Sequence, residues 1–159
     1  MKASSKARYS LHLIIDIAQR QDAGPVPLRE VALRQGLSLK YLEQLAKSLT
    51  RAGYLKSVRG AQGGYLLMRP ATDVTAGDII RAAEGDFLTL ACIEASAEAC
   101  PRQTSCGISR FWLGLRTAIE SYVDNITIAE LTTENEQRAP DGPDEAQPQA
   151  KAPSPLPQT

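Results

Sequence analysis

The chain has 159 residues with 18 basic and 18 acidic side chains, so its formal net charge is zero. This length accommodates one small domain with an appendage, and 43% hydrophobic residues are enough for a packed core. No segment approaches the roughly 18 consecutive apolar residues of a membrane span, so the sequence predicts no membrane partner. Because no export signal is recognisable and the thiols are expected to stay reduced, it also predicts a cytoplasmic location.

The zero net charge conceals an uneven distribution along the chain. Residues 1–70 hold 12 Lys and Arg against four Asp and Glu, whereas residues 71–131 hold four against nine and residues 132–159 hold two against five. A basic segment of that size attracts polyanions such as nucleic acids. A charged, solvated surface without such a partner is the alternative that charge alone leaves open.

Three helices are predicted in the basic half. Apolar residues at separations of three, four and seven predict an amphipathic helix over 4–20. A short helix is predicted over 28–35, and a third from residue 39 to about residue 52. Ser38 is a suitable N-cap for the third helix, and Gly53 is suited to close it.

A hairpin and a fourth helix follow. Two short strands are predicted over 54–58 and 64–68, on either side of a glycine-containing connection. Thr75 then begins the fourth helix. Asp78 occupies its third position, where a carboxylate supports the first turn of a helix.

The last predicted element is a long helix from residue 108 to about residue 125, followed by a short final turn that Thr127 caps and that ends at Leu131. The apolar stripe of the long helix is too long for so small a domain to bury, so this helix is expected to pack against a symmetry mate. From residue 132 onward the chain is polar and rich in proline, and we expect it to be disordered. The stripe consists of Ile108, Phe111, Trp112, Leu115, Ile119, Tyr122, Val123 and Ile126.

Two short helices, a tight turn and a hairpin are the parts of a winged helix-turn-helix. The predicted fold class is therefore mainly α with a small two-stranded β-wing. In such a motif the second helix enters the major groove and its N-terminal side chains meet base edges. A small helical domain without a DNA partner is the alternative. The residues expected to face double-stranded DNA are Ser38, Lys40, Tyr41, Glu43, Gln44, Arg59 and Gly60.

Three of these side chains have chemistry that suits particular features of DNA. Gln44 is able to pair with adenine, and Glu43 is able to accept a hydrogen bond from cytosine N4 while rejecting other sequences. Arg59 lies at the predicted wing tip, where an arginine side chain enters a narrow and strongly negative minor groove. Lys47 and Arg51, further along the same helix, are expected to meet the phosphate backbone.

The only three cysteines, Cys92, Cys100 and Cys106, follow the pattern Cys-x7-Cys-x5-Cys. They are too close together and odd in number for a disulfide framework. Thiolates suit iron–sulphur clusters and zinc, since both are soft enough to favour sulphur. Three reduced thiols, or a disulfide switch between two of them, are the alternatives.

Taken together, these segments resemble the IscR/NsrR/CymR-type winged-helix transcriptional regulators of bacteria, most of all the subgroup that regulates iron–sulphur cluster assembly. The resemblance covers residues 1–131. It is carried by residues 5–9 (SKARY), 24–28 (GPVPL), 38–45 (SLKYLEQL), 57–60 (SVRG), 63–67 (GGYLL) and 125–131 (NITIAEL), together with the three cysteines and Trp112.

This resemblance implies a DNA-binding regulator and not an enzyme. It implies a homodimer held by the long C-terminal helix and bound to a palindromic operator, with Tyr41, Glu43, Gln44 and Arg59 facing DNA. It also implies an iron–sulphur cluster, most simply of the 2Fe–2S type, whose presence or state changes the affinity for DNA. A related subgroup senses cysteine metabolism without a cluster, so a regulator that senses thiol oxidation or a partner protein is the alternative function. An electron carrier or metal-dependent enzyme finds no support in the motifs.

The fourth ligand of such a cluster departs from the family pattern. Ser109 stands where the assembly regulators have a histidine, and Arg8 stands where the nitric-oxide sensors have an aspartate. His12, the only histidine, lies one helical turn past Arg8 on the same face. We hypothesise that His12 completes the site across the dimer. The alternatives are that His12 is an ordinary helix residue and that Ser109, Glu94, Glu98 or a small molecule is the ligand.

These predictions divide the chain into three parts. Residues 1–73 form the winged helix-turn-helix, residues 74–131 hold the cysteine loop and the dimerisation helix, and residues 132–159 form the tail.

Overall fold

The structure is a computed structural model that describes residues 5–60, 62–85 and 106–138. Within these ranges the backbone forms six α-helices and one antiparallel hairpin, in agreement with the predicted fold class. The helices are α1 (Ser5–Arg20), α2 (Leu28–Gln35), α3 (Leu39–Arg51), α4 (Ala76–Glu84), α5 (Gly107–Asp124) and α6 (Ile128–Arg138). The strands are β1 (Leu55–Val58) and β2 (Gly64–Leu67).

The core of the winged helix is made by aliphatic side chains that recur at helical spacing. On α1 the side chains of Leu13, Ile14 and Ile17 are fully buried, and on α3 those of Leu42 and Leu49 are buried against them. Separations of three, four and seven residues place apolar groups on one side of a helix. The predicted helices over 4–20, 28–35 and 39–52 are confirmed to within one residue at each end.

Local capping fixes where the helices begin and end. The Ser38 hydroxyl accepts a hydrogen bond of 3.3 Å from the Tyr41 amide, as predicted for the N-cap of α3. Gly36 ends α2 in the left-handed conformation, with φ of 62°, which glycine adopts without steric cost. At the start of α4, Thr75 and Asp78 exchange two hydrogen bonds of 3.1 Å, so the predicted support of the first turn is confirmed as a capping box.

The wing is a two-stranded hairpin whose second strand is joined, at its end near the turn, to the loop before α2. Leu55 pairs with Leu67 and Val58 with Gly64, which makes each strand one residue shorter than predicted. Val26 exchanges two backbone hydrogen bonds of 2.9 Å with Tyr65. A Cβ atom on Gly64 would lie 2.5 Å from the Val26 backbone, so the close approach of this loop to β2 requires glycine.

Helix α4 and the start of α6 share the core of the winged helix. Val74, Ile79 and Ile128 are fully buried in the same cluster as the side chains of α1 and α3. The predicted division at residue 73 therefore does not separate two hydrophobic cores, and it stays a prediction about the roles of the two parts. Helix α5 contacts α4. None of the described helices has the length and apolar character of a membrane span.

The end of α6 corrects the prediction for the C-terminal segment. The sequence predicted a short turn that ends at Leu131, but the helix continues to Arg138. Thr127 and Glu130 form a reciprocal cap at its start, with bonds of 2.7 and 3.2 Å, and Leu131 packs against the core. With this N-terminal cap and no proline between Thr127 and Pro140, the helix extends into a polar stretch. Residues 139–159 lie outside the described residues.

Candidate nucleic-acid interface and cysteine site

The predicted base-reading residues lie together on the N-terminal half of α3. Lys40, Glu43 and Gln44 are exposed, and Ser38 is exposed although its hydroxyl caps the helix. Tyr41 differs from these residues because it is partly buried: its ring packs edge-on against Tyr9, with 5.9 Å between the ring centroids. Tyr41 therefore has a packing role whether or not it faces DNA.

The wing tip presents Arg59 to solvent on a tight turn. The Gly63 amide donates a hydrogen bond of 3.0 Å to the Gly60 carbonyl, and Gly60 has φ of 123°. A Cβ atom on Gly63 would lie 2.5 Å from the Val58 carbonyl oxygen. Glycine at both positions lets the turn close while Arg59 and Gly60 remain exposed.

A groove of about 540 Å³ separates α3 from the wing. Lys47 and Arg51 are exposed at this groove, and within the described part of the chain neither is recorded in an ion pair. Two unpaired cations beside hydroxyl groups form a surface suited to a phosphodiester backbone. The groove is lined by Glu43, Lys47, Thr50, Arg51, Ser57 and Tyr65.

The prediction from sequence missed the wing side of this groove. Ser57 and Tyr65 are directly opposite each other in the hairpin ladder, so both side chains point to the same face of the sheet. The alternation of side chains along each strand could have indicated that Ser57 and Tyr65 share a face. That conclusion needs the register of the hairpin, which the sequence alone does not give.

Other arginines of the winged helix hold its helices together. Arg34 of α2 makes two hydrogen bonds, of 2.6 and 3.0 Å, to the carboxylate of Asp16, a buried residue of α1. The hydrogen bond to Asp16 is the main cause that raises the pKa of Arg34. Arg20 also lies 3.6 Å from Asp16. The basic charge of the head, which is the unit formed by α1–α4 and the wing, is therefore divided between structural pairs and the exposed groove.

The cysteine loop falls largely in the part of the chain that is not described. Cys92 and Cys100 lie outside the described residues, and Cys106 is half-buried at the N-cap position of α5, where its side chain makes no capping hydrogen bond. Among residues 5–60, 62–85 and 106–138, no three His, Cys, Asp or Glu side chains form a group able to hold a metal ion. The predicted set of ligands stays a prediction.

His12 is exposed on α1, in a polar pocket of about 380 Å³ that α2 and α6 complete. The Tyr9 ring is 6.2 Å away between centroids. Partial desolvation of the imidazole in this pocket lowers the pKa of His12, and the positive charge of Arg8 lowers it further. The neutral imidazole, which is the form that binds metals, is thereby favoured. Imidazole nitrogen and thiolate sulphur are both groups that bind iron in iron–sulphur clusters.

The predicted apolar stripe of α5 is divided between two faces of the helix. Leu115, Ile119 and Val123 are half-buried on one face, but Phe111 and Tyr122 are 62% and 69% exposed. The uncovered side also carries a groove of about 560 Å³ lined by Arg110, Leu113, Gly114, Thr117, Ala118 and Ser121. Small side chains between exposed aromatic rings permit another helix to approach closely.

A winged helix with a cationic groove between α3, the second helix of its helix-turn-helix motif, and the wing is typical of DNA-binding transcriptional regulators. The profile of the Rrf2 family, described as iron-dependent transcriptional regulators, matches residues 3–134. The chain belongs to this family, and the resemblance found in its sequence is confirmed.

Relatives of known name point to two branches of the family. The chain is 39% identical over 136 residues to the helix-turn-helix transcriptional regulator IscR of Vibrio atlanticus. The aligned residues make up 86% of this chain and 78% of that protein. The solved structure of T. potens IscR aligns with a TM-score of 0.69 and 39% identity over 89% of this chain and 94% of that one. CymR, described as the global cysteine regulator of B. subtilis, aligns with a TM-score of 0.69 and 36% identity over 84% and 98% of the two chains.

Proposed function

We propose that the protein is a homodimeric regulator that binds a palindromic operator and whose affinity for DNA depends on an iron–sulphur cluster. The observation that supports the DNA part most directly is the groove between α3 and the wing, where Lys47 and Arg51 are exposed beside hydroxyl groups. In this proposal the groove receives the phosphate backbone. Contacts to phosphate fix the position of the protein on the duplex without reading its sequence.

Sequence is read by the N-terminal residues of α3 and by the wing. Glu43 and Gln44 are exposed on α3, and Arg59 is exposed on the wing. Gln44 pairs with adenine and Glu43 accepts from cytosine N4 in the major groove. Arg59 enters the adjacent minor groove, where a narrow width strengthens the negative potential.

The second subunit covers the exposed side of α5. Phe111 and Tyr122 flank the small residues Gly114 and Ala118 on that side. Exposed aromatic residues of this kind are enriched at the centres of protein interfaces. A two-fold axis beside α5 brings two winged helices to one duplex, as a palindromic operator requires.

The cluster, of 2Fe–2S type, is held by Cys92, Cys100 and Cys106, with His12 of the other subunit as the fourth ligand. When bound, such a cluster supplies one-electron redox chemistry. Cys106 immediately precedes α5 and His12 lies on α1, so these two ligands tie the dimerisation helix to the head. The description of the family as iron-dependent supports this part of the proposal.

A cluster-free regulator is the second candidate function. The similarity to CymR, a global cysteine regulator, favours it about as well as the similarity to IscR favours the first. In this alternative the three thiols respond to oxidation, or a partner protein binds the regulator.

The test is a comparison of iron-loaded and iron-stripped protein. Full-length protein is purified without oxygen, and its visible absorption and Mössbauer spectra are recorded. The affinity of both forms is then measured at matched ionic strength on operators selected from a randomised duplex library. We expect charge-transfer absorption and a change in affinity of roughly 5- to 150-fold, the usual range for coupled sites.

Variants separate the ligands. Cys106→Ala is expected to remove the absorption, and His12→Ala is expected to change the spectrum. Gln19→Ala, two turns further along α1 in the same pocket, is the matched control and should change neither. Colourless protein after reconstitution, with equal affinity in both forms, would contradict the cluster. Sensitivity to peroxide but not to chelation would then support the cluster-free alternative.

A further inference from the structure

Helix α4 is anchored in the winged helix at two points besides its buried apolar face. The Ser48 hydroxyl of α3 donates a hydrogen bond of 2.9 Å to the Ala82 carbonyl. In the same last turn of α4, the Ala7 amide of α1 donates a bond of 2.8 Å to the Glu84 carboxylate. Since Ile79 is also fully buried, α4 moves with α3.

The opposite side of α4 holds the C-terminal end of α5. Arg81 makes hydrogen bonds of 2.6 and 3.3 Å to the carboxylate of Asp124, and it lies 3.6 Å from Asp78 of its own helix. Two parallel bonds between a guanidinium and a carboxylate fix direction as well as distance. The angle between α4 and α5 is therefore constrained at this point.

A glycine permits this close contact. Gly77 is buried on α4, and a Cβ atom at this position would overlap the Asp124 carboxylate and lie 3.0 Å from Val123. Any larger residue must displace the end of α5 or break the pair with Arg81. Gly77 has no positive φ, so the space between the helices explains the glycine.

Backbone hydrogen bonds reinforce this contact between α4 and the end of α5, which is called the α4–α5 joint below. The Ala76 amide bonds to the Ile126 carbonyl and the Ile128 amide bonds to the Val74 carbonyl, both at 2.8 Å. This short bridge between the segments that precede α4 and α6 joins the chain directly after α5 to the chain directly before α4. Side-chain and backbone contacts thus hold α5 at a fixed orientation to the head.

We infer that the contact of Gly77 and Arg81 with Asp124 positions the two α3 helices of the dimer and so sets the half-site spacing that the protein accepts. The inference rests on the proposed homodimer and palindromic operator. The two α5 helices define the dimer axis, and each α4 transmits the direction of α5 to α3. One added base pair rotates a half-site by about 35° and moves it by about 3.4 Å, so a rigid joint discriminates against it.

The experiment uses full-length Asp124→Ala beside Glu120→Ala. Glu120 bonds to Arg116 within α5 at 2.7 Å, so this control removes a carboxylate paired with an arginine from the same helix but leaves the joint intact. Affinities are measured for operators whose spacing differs by one base pair and for a duplex with a single half-site. Gly77→Ala is a second variant, and thermal unfolding verifies that each protein is folded.

The expected result is a loss of selectivity for spacing without a loss of base reading. In Asp124→Ala, the ratio of affinities for the preferred and the altered spacing should fall at least about fivefold, which is the low end of the range for coupled sites. The affinity of this variant for the single half-site should stay unchanged. Glu120→Ala should bind all of these operators as the wild type does. Wild-type selectivity in both Asp124→Ala and Gly77→Ala would overturn the inference and leave the proposed function intact. A wild-type protein that is monomeric in sedimentation, or that accepts every spacing, would overturn the proposed dimeric operator binding and the inference with it.

Discussion

The winged-helix head and helix α5 use similar apolar residues in opposite ways. In the head, Leu13, Ile14 and Leu49 are fully buried by α1, α3 and α4. On α5, Phe111 and Tyr122 are 62% and 69% exposed. The head buries most of its large aliphatic side chains within one chain, whereas α5 covers only one of its faces in this way. The difference supports the proposal that a second subunit covers the exposed side of α5.

The largest effect expected from this comparison is on the stability of the head. Leu13→Ala removes a fully buried side chain from α1 and should lower the free energy of unfolding by about 3 kcal/mol, through lost burial and the cavity left behind. Leu33→Ala is the matched control, because Leu33 is 84% exposed on α2. Urea denaturation of both variants measures the difference. Equal destabilisation by the two variants would contradict the view of a tightly packed core in the head.

A smaller effect is expected on association through α5. Phe111→Ala should weaken the proposed dimer by about 2 kcal/mol, or roughly 30-fold in dissociation constant, as for a central aromatic residue of an interface. Met68→Ala truncates a residue of the head that is 60% exposed and should leave association unchanged. Sedimentation equilibrium provides the measurement. An unchanged dissociation constant in Phe111→Ala would place the second subunit elsewhere.

The smallest of the three effects concerns the charged surface of the head. Lys47→Gln removes one cation from the groove between α3 and the wing. It should weaken DNA binding similarly for all sequences and reduce the slope of log affinity against log salt by about one. Lys56→Gln is the control, since Lys56 is next to Ser57 in β1 and alternation places it on the opposite face of the strand. A titration with salt that gives the same slope for both variants would argue against phosphate binding in the groove.

Much of the fold was predictable because its signals are local. Ser38, Thr75 and Gly36 act on the turn that contains them, and the buried stripe of α3 repeats within 13 residues. The length of α6 was less predictable, since a polar sequence beyond Leu131 gives no periodic signal. The helix continues there because the cap at Thr127 and the packing of Leu131 stabilise its start.

The candidate site was predictable only in part. The exposed residues of α3 follow from the buried stripe on its other side, and Arg59 follows from the glycines around it. Ser57 and Tyr65 were not found, because the two strands place these side chains on the same face beside the groove only when the hairpin adopts its register. The division of the α5 stripe into a covered and an uncovered face likewise depends on where α4 lies.

The sequence by itself determined the class of fold, the ends of most helices and the residue types available for binding DNA and a soft metal, because these depend on spacing and on contacts between near neighbours. Only the tertiary structure decided which basic side chains are exposed at the groove, which side of α5 is uncovered and how α4 joins α5 to α3. Those features depend on contacts between segments far apart in the chain, such as the pair of Arg81 with Asp124. A one-dimensional pattern carries no direct record of such contacts.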